Sequence, residues 1–149
     1  MRAVIALGSN LGDREWHLMS AAEALYEVGE VIAFSGFLEN RAVGGPPQPD
    51  FLNAVLILET ALEPDELLRV CLAIERIFGR TREVINGPRT LDIDIISCDD
   101  IVRTSDELTL PHPRASQRSF VLAPWLEIDN QAHLPGVGAV ADLLAKLDQ

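Results

Sequence analysis

The chain has 149 residues, a formal net charge of −11 at pH 7 and 48% hydrophobic residues. That length and apolar share fit one compact domain spanning residues 1–149. The acidic balance argues against a nucleic-acid surface as the main function, because phosphate neutralisation dominates such binding. The apolar run from Ala3 to Leu7 is too short for a signal-peptide core or a membrane span, so a soluble, cytoplasmic chain is expected.

Arg2 to Leu7 reads as a buried first strand, ended by the glycine-punctuated turn Gly8-Ser9-Asn10-Leu11-Gly12-Asp13. Asp13 suits a helix N-cap. The helix it opens is expected to reach about Val28, with Leu18, Ala22, Leu25 and Val28 on one face and Gly29 as its end. Val31 to Val43 reads as a second strand region, with Val31, Ala33, Ser35 and Phe37 on one face. Residues 44–50, Gly-Gly-Pro-Pro-Gln-Pro-Asp, form a loop suited to a lid or a recognition element, or to a plain connection between antiparallel strands. Phe51 to Thr60 is the third strand. Phe51, Asn53, Val55 and Ile57 share one face, and Leu52, Ala54, Leu56 and Leu58 the other. Asn53 is a polar residue on an apolar strand, and a buried amide needs partners.

Pro64 starts the second helix, with Asp65 and Glu66 in its first turn. Leu67, Val70, Cys71, Ile74, Ile77 and Phe78 are its expected buried stripe, Glu75 lies one residue off it, and Gly79 closes it. Neither Cys71 nor Cys98 has a spacing that suggests zinc or a disulfide framework. A polar stretch, 80–86, leads to Gly87-Pro88-Arg89-Thr90-Leu91-Asp92-Ile93-Asp94-Ile95-Ile96. Here Leu91, Ile93 and Ile95 alternate with Asp92 and Asp94, so a strand puts both acids on one face. Their Cα atoms then lie about 6.5–7 Å apart, two strand rises. Two hard oxygen ligands at that separation suit a divalent cation such as Mg²⁺. An edge strand with arginine partners is the other reading of the same pattern.

Leu108 to Leu110 is extended and runs into Pro111-His112-Pro113-Arg114; Phe120 to Leu126 is apolar and helical at one end; Val140 to Leu147 is a terminal amphipathic helix. The order β-α-β-β-α-β with a C-terminal extension predicts an α+β, ferredoxin-like sheet, mainly antiparallel, with helices on one face and the extension covering more of it. Of the eleven arginines, six lie between Arg80 and Arg118, around the Asp pair. Arginine donates bidentately to phosphate, so an acidic chain arranged this way handles a small anionic ligand together with a metal. Neither a P-loop nor a Gly-x-Gly-x-x-Gly fingerprint occurs. The metal-carboxylate pair, the arginines, His112 and the loop fit phosphoryl transfer, which needs positioning and charge stabilisation.

Several blocks in order carry a closer likeness: Gly8-Ser9-Asn10-Leu11-Gly12, Pro49-Asp50-Phe51-Leu52-Asn53-Ala54, Glu75-Arg76 with Gly79-Arg80, Gly87 to Ile95, and Leu110-Pro111-His112-Pro113-Arg114 followed by Arg118 and Phe120. Together they cover nearly the whole chain, which resembles the 6-hydroxymethyl-7,8-dihydropterin pyrophosphokinases of folate biosynthesis. The resemblance implies transfer of a diphosphoryl group from ATP to the pterin hydroxyl, leaving AMP. It implies two Mg²⁺ ions on Asp92 and Asp94, and Arg80, Arg89 and Arg118 as phosphate clamps. Arg82 joins them on loop closure, and His112 donates to a phosphate oxygen. It also implies a pterin site of Phe51, Phe120, Asn53, Gly8 and the backbone around Val43, and it puts Glu75 near the nucleotide. The expected partners are thus ATP and the hydroxymethyl-dihydropterin, with no nucleic acid and no membrane, and the expected state is a monomer. Asn86, Glu83 and Asn40 stand where an aromatic, a basic residue and a threonine are common in the family, and these departures bear on loop closure and rate. A pterin- and ATP-binding module of weak catalytic power is the alternative reading. A different Mg²⁺ phosphotransferase or a two-metal nuclease is a third, and the acidic charge counts against the nuclease.

Overall fold

Residues Arg2–Ser9 form β1, whose apolar run is buried on both faces and therefore sits at the centre of the sheet. The computed structural model describes residues 1–42, 44–78 and 90–148. After β1 come α1 (Arg14–Leu25), β2 (Glu30–Phe34), β3 (Leu38–Asn40), β4 (Phe51–Glu59) and α2 (Pro64–Ile77). Then follow β5 (Asp92–Cys98), α3 (Ser119–Ile128), the short pair β6 (His133–Leu134) and β7 (Gly138–Ala139), and α4 (Val140–Leu147). The main sheet has the order β2-β4-β1-β5, with β3 also on β4, and every pairing is antiparallel. This is the ferredoxin-like arrangement expected from the element order.

The sheet is covered on both sides. Ile5, Leu7, Leu52, Leu56, Ile93 and Ile95 pack with Leu18, Leu25, Leu67 and Ile74 of α1 and α2. Val4, Val55, Ile57 and Ile96 pack with Val121, Leu122 and Trp125 of α3 and Val140 of α4. The C-terminal extension therefore covers the opposite face from α1 and α2, rather than adding to theirs. Its attachment is specific, since Glu127 of α3 accepts the Gly36 N–H at 3.1 Å.

Helix starts follow their sequence signals. Asp13 accepts the Trp16 N–H at 3.1 Å, and Glu63 and Glu66 form a reciprocal capping box that spans Pro64. Three boundaries differ from expectation. The first helix turns 3₁₀ over Tyr26–Val28, and Gly29 is extended (φ 172°) rather than left-handed. Glycine is needed at 29 for space, because a Cβ there would lie 2.2 Å from the Glu59 carbonyl oxygen. The Val31–Val43 region is two strands. The β2–β4 register slips between Val31 and Ala33, so Val31 packs in the first core and Ala33 in the second. A bulge of this kind breaks the period of two. Ser35 then substitutes for a ladder residue, its Oγ accepting the Val55 N–H at 2.9 Å. Ile77, expected in the buried stripe, is 76% exposed. At about 100° per residue it has rotated away from the Leu67–Cys71–Ile74 line. The expected helix end at Gly79, and the departures at Glu83 and Asn86, lie outside the described residues.

Candidate active site

Three adjacent strands bring the first group of residues together by register alone. Gly8 on β1 is paired with Asn53 on β4 and with Asp92 on β5. One pleat further on, Ala6 faces Asp94. Because side chains alternate along each strand, Phe51, Asn53, Gly8, Asp92 and Asp94 share the face toward α3 and α4. They lie at the end of that face beyond Val4, Val55, Ile57 and Ile96. Gly8 matters there for its lack of a side chain. A Cβ at 8 would lie 3.3 Å from Asn53 Oδ1 and 3.6 Å from the Phe51 ring.

Asn53 is buried and its amide has a defined polarity. Its Nδ2 donates to the Leu38 carbonyl at 3.1 Å and to Asn40 Oδ1, and Asn40 Nδ2 in turn donates to the Arg41 carbonyl at 2.7 Å. Both amide protons of Asn53 are therefore engaged on the β3 side, which leaves its Oδ1 as the acceptor beside Gly8. From the sequence Asn40 stood out only as a departure bearing on loop closure and rate, not as a partner of Asn53. The signal was its register opposite Phe51.

Asp92 and Asp94 are half-buried. Arg118 Nη1 lies 3.7 Å from Asp94 Oδ2, long for an ion pair. The same guanidinium sits 5.6 Å from the centroid of the Phe120 ring, so Phe120 backs Arg118. His112 is fastened to β5 through its N–H, which donates to the Ile96 carbonyl at 2.8 Å. Its Nδ1 accepts the Arg114 N–H at 3.2 Å. The neutral ring therefore carries its proton on Nε2. Burial, then the Arg118 charge, pushes the His112 pKa down to about 4, with Arg114 adding to the effect and Asp92 opposing it. The ring is thus a neutral Nε2–H donor at neutral pH.

Glu75 lies elsewhere. It is on α2, on the other side of β5, and only 2% exposed. Its Oε2 accepts the Ile93 N–H at 2.7 Å, which sets the carboxylate against the strand. Nearby, burial and the charges of Glu75 and Asp94 push the Cys71 thiol up to about 12. Cys71 and Cys98 are both free and buried, with no disulfide between them. The loop before β4 is held at one end. Asn10, buried in the turn after β1, donates to Gln48 Oε1 at 2.8 Å and to the Pro49 carbonyl at 2.9 Å. Arg14 donates to the Asp50 carbonyl at 3.0 Å. Asn10 and Arg14 were not singled out from the sequence; an asparagine inside the Gly8–Gly12 turn was the available hint. Val43, Arg80, Arg82 and Arg89 lie outside the described residues.

The donor set fits Mg²⁺. Among the described residues no group of three or more His, Cys, Asp or Glu side chains is placed to bind a metal. An ion on Asp92 and Asp94 would therefore take its remaining ligands from phosphate oxygens and water, the usual manner of Mg²⁺ at nucleotide sites. No helix among the described residues is long and apolar enough to cross a membrane.

Comparison with known proteins gives one answer. Residues 4–130 match the family model described as 7,8-dihydro-6-hydroxymethylpterin-pyrophosphokinase. The chain is 42% identical over 160 residues to the 2-amino-4-hydroxy-6-hydroxymethyldihydropteridine pyrophosphokinase of Mycobacterium tuberculosis, covering 99% of this chain and 84% of that protein. It is 42% identical over 142 residues to the Bacillus subtilis enzyme of the same name, covering 94% and 85%. Among solved structures, the Plasmodium falciparum HPPK-DHPS with pteroate superposes with a TM-score of 0.75 at 13% identity. That match covers 97% of this chain and 44% of the larger one, so the chain spans under half of it, and at that identity it supports the fold alone. With a family match over most of its length and relatives of this identity, the chain belongs to the 7,8-dihydro-6-hydroxymethylpterin-pyrophosphokinase family and is a pyrophosphokinase.

Proposed function

We propose that the chain, as one domain, transfers the β,γ-diphosphoryl group of ATP to the hydroxyl of 6-hydroxymethyl-7,8-dihydropterin in folate biosynthesis, with Mg²⁺. The hydroxyl oxygen forms a bond to the β-phosphorus, the bond from that phosphorus to the α,β-bridging oxygen breaks, and AMP leaves as the hydroxyl proton is lost. The observation that carries this reading is the register of Gly8 between Asn53 and Asp92. It sets an amide acceptor and a carboxylate pair on one floor, with a gap between them where no side chain stands.

In this reading Asn53 Oδ1 accepts from the N–H edge of the pterin, and Phe51 and Phe120 flank the ring. Backbone groups at Gly8 and Val43 complete the recognition. An unmatched buried amide is costly, and this is what selects a ring with complementary donors. Asp92 and Asp94 would hold two Mg²⁺ ions, which when bound would supply charge neutralisation and lower the pKa of the attacking hydroxyl. His112 donates from Nε2 to a phosphate oxygen, and Arg118 presents its guanidinium from the Phe120 ring. Arg80, Arg82 and Arg89 supply the remaining phosphate contacts. The bidentate geometry of arginine suits a charge spread over several oxygens. The chain acts as a monomer in the cytoplasm.

Phosphorus NMR of the protein with ATP, Mg²⁺ and the pterin tests the reaction class. AMP and a pterin diphosphate are expected. ADP as the nucleotide product would overturn the assignment.

A further inference from the structure

Glu75 is a buried acid set against the strand that carries Asp92 and Asp94. It is 2% exposed, and carboxylates are almost never that deep unless something holds them. What its Oε2 holds is the N–H of Ile93, at 2.7 Å, the residue between Asp92 and Asp94. The placement follows from topology. Among the described residues β5 is the last strand of the sheet and pairs only with β1. In an antiparallel ladder alternate N–H groups face the partner strand and the rest face away. Ile93, whose N–H goes to Glu75 rather than to β1, is the outward-facing one between Asp92 opposite Gly8 and Asp94 opposite Ala6. Left alone, that edge amide is free to twist or to take water, and the two flanking carboxylates move with it.

We infer that Glu75 is a positioning residue for the metal-binding pair: its carboxylate takes the outward N–H of Ile93 and so fixes the pleat that aims Asp92 and Asp94 at the same ions. Helix geometry supplies the reach. Glu75 follows Cys71 by four residues and Leu67 by eight, so it rides the edge of the buried stripe of α2 nearest β5. The inference rests on the proposed metal role of Asp92 and Asp94.

The test uses the full chain as wild type, Glu75→Ala and Glu75→Gln, each first checked for a native near-UV spectrum. Glu75→Gln retains a side-chain oxygen that can accept the Ile93 N–H. Two readouts are independent of turnover: hydrogen exchange at the Ile93 amide, and Mn²⁺ affinity in the presence of a non-hydrolysable ATP analogue. In Glu75→Ala, Ile93 exchange should accelerate on the order of tenfold or more. Mn²⁺ affinity should fall about 10–100-fold, the usual loss when a partner of a metal ligand is removed. The Mg²⁺ requirement for turnover should rise while the pterin KM stays put. Glu75→Gln should recover most of both losses. Unchanged Mn²⁺ affinity in Glu75→Ala, or a Glu75→Gln as impaired as Glu75→Ala, would overturn the inference while leaving the reaction intact. A wild type that binds Mn²⁺ but yields no AMP would overturn the reaction and leave the positioning role standing. A wild type that binds no Mn²⁺ would overturn both.

Discussion

On the side of α1 and α2, Ile5, Leu7, Leu52, Leu56, Ile93 and Ile95 make one apolar layer from end to end of the sheet. On the side of α3 and α4 the same strands change character halfway. Val4, Val55, Ile57 and Ile96 are packed under the helices, whereas Gly8, Asn53, Asp92 and Asp94 stand beyond them. The two faces are one residue out of phase on every strand, yet one is built for burial and the other is half given over to chemistry. The dry face holds the backbone still so that the polar end of the other face can carry charged side chains, a division that keeps function on a rigid support.

Substitutions on the two faces should therefore separate activity from stability. The largest effect is expected at the acids: Asp92→Ala or Asp94→Ala should lower AMP formation by more than about 100-fold, beyond the loss typical of outer-shell partners. Because both side chains are half-exposed, the chemical-denaturation midpoint should barely move. Retained turnover in both variants would remove the metal assignment. Leu56→Ala, on the dry face, should do the reverse, with unfolding free energy falling by about 2–5 kcal/mol in urea titration. The kinetic constants of the folded fraction should be little changed. Asn53→Ala combines a lost acceptor with a lost tie to Leu38, and its pterin KM should rise on the order of 5–150-fold while the ATP KM stays near wild type. An equal rise in both would mean that Asn53 acts by holding β3 rather than by reading the ring.

His112 tests the boundary between the faces. Its folded pKa of about 4 lies below the ordinary value of 6.5, so between those values the unfolded chain binds the extra proton. Stability attributable to the ring is complete above pH 6.5 and declines as pH falls toward 4. His112→Asn should flatten that part of the stability curve, measured by thermal melts across pH 4–7. The smallest effect is expected at the far end of β1, where Arg2 Nε and Glu59 Oε1 are 3.0 Å apart and exposed. Arg2→Ala should change stability by no more than about 1 kcal/mol and leave turnover alone.

Much of this division was legible in the residues. The alternation around Asp92 and Asp94 gave the shared face, and the Phe51–Leu58 pattern sorted both sides of β4 correctly. What failed did so for local reasons. Nothing in the run Val31–Phe37 announces the slip between Val31 and Ala33, because a bulge changes register without changing composition. Ile77 is apolar but lies off the Leu67–Cys71–Ile74 line of α2. Glu75 was noticed beside the helix stripe, but only the fold shows which amide it meets. The side taken by the C-terminal extension depends on α3 finding the aliphatic half of the second face, a long-range match that periodicity does not encode.

Gly8 has a consequence for inhibition. The floor between the amide and the acids is backbone, and a compound packed against it would contact no side chain at that position. A substitution at 8 is constrained on one side, since an added Cβ would lie 3.3 Å from Asn53 Oδ1 and that amide would have to give, while at 3.6 Å from the Phe51 ring it would make ordinary contact. A side chain introduced at 8 to exclude such a ligand would also crowd Asn53, the residue proposed to read the substrate ring.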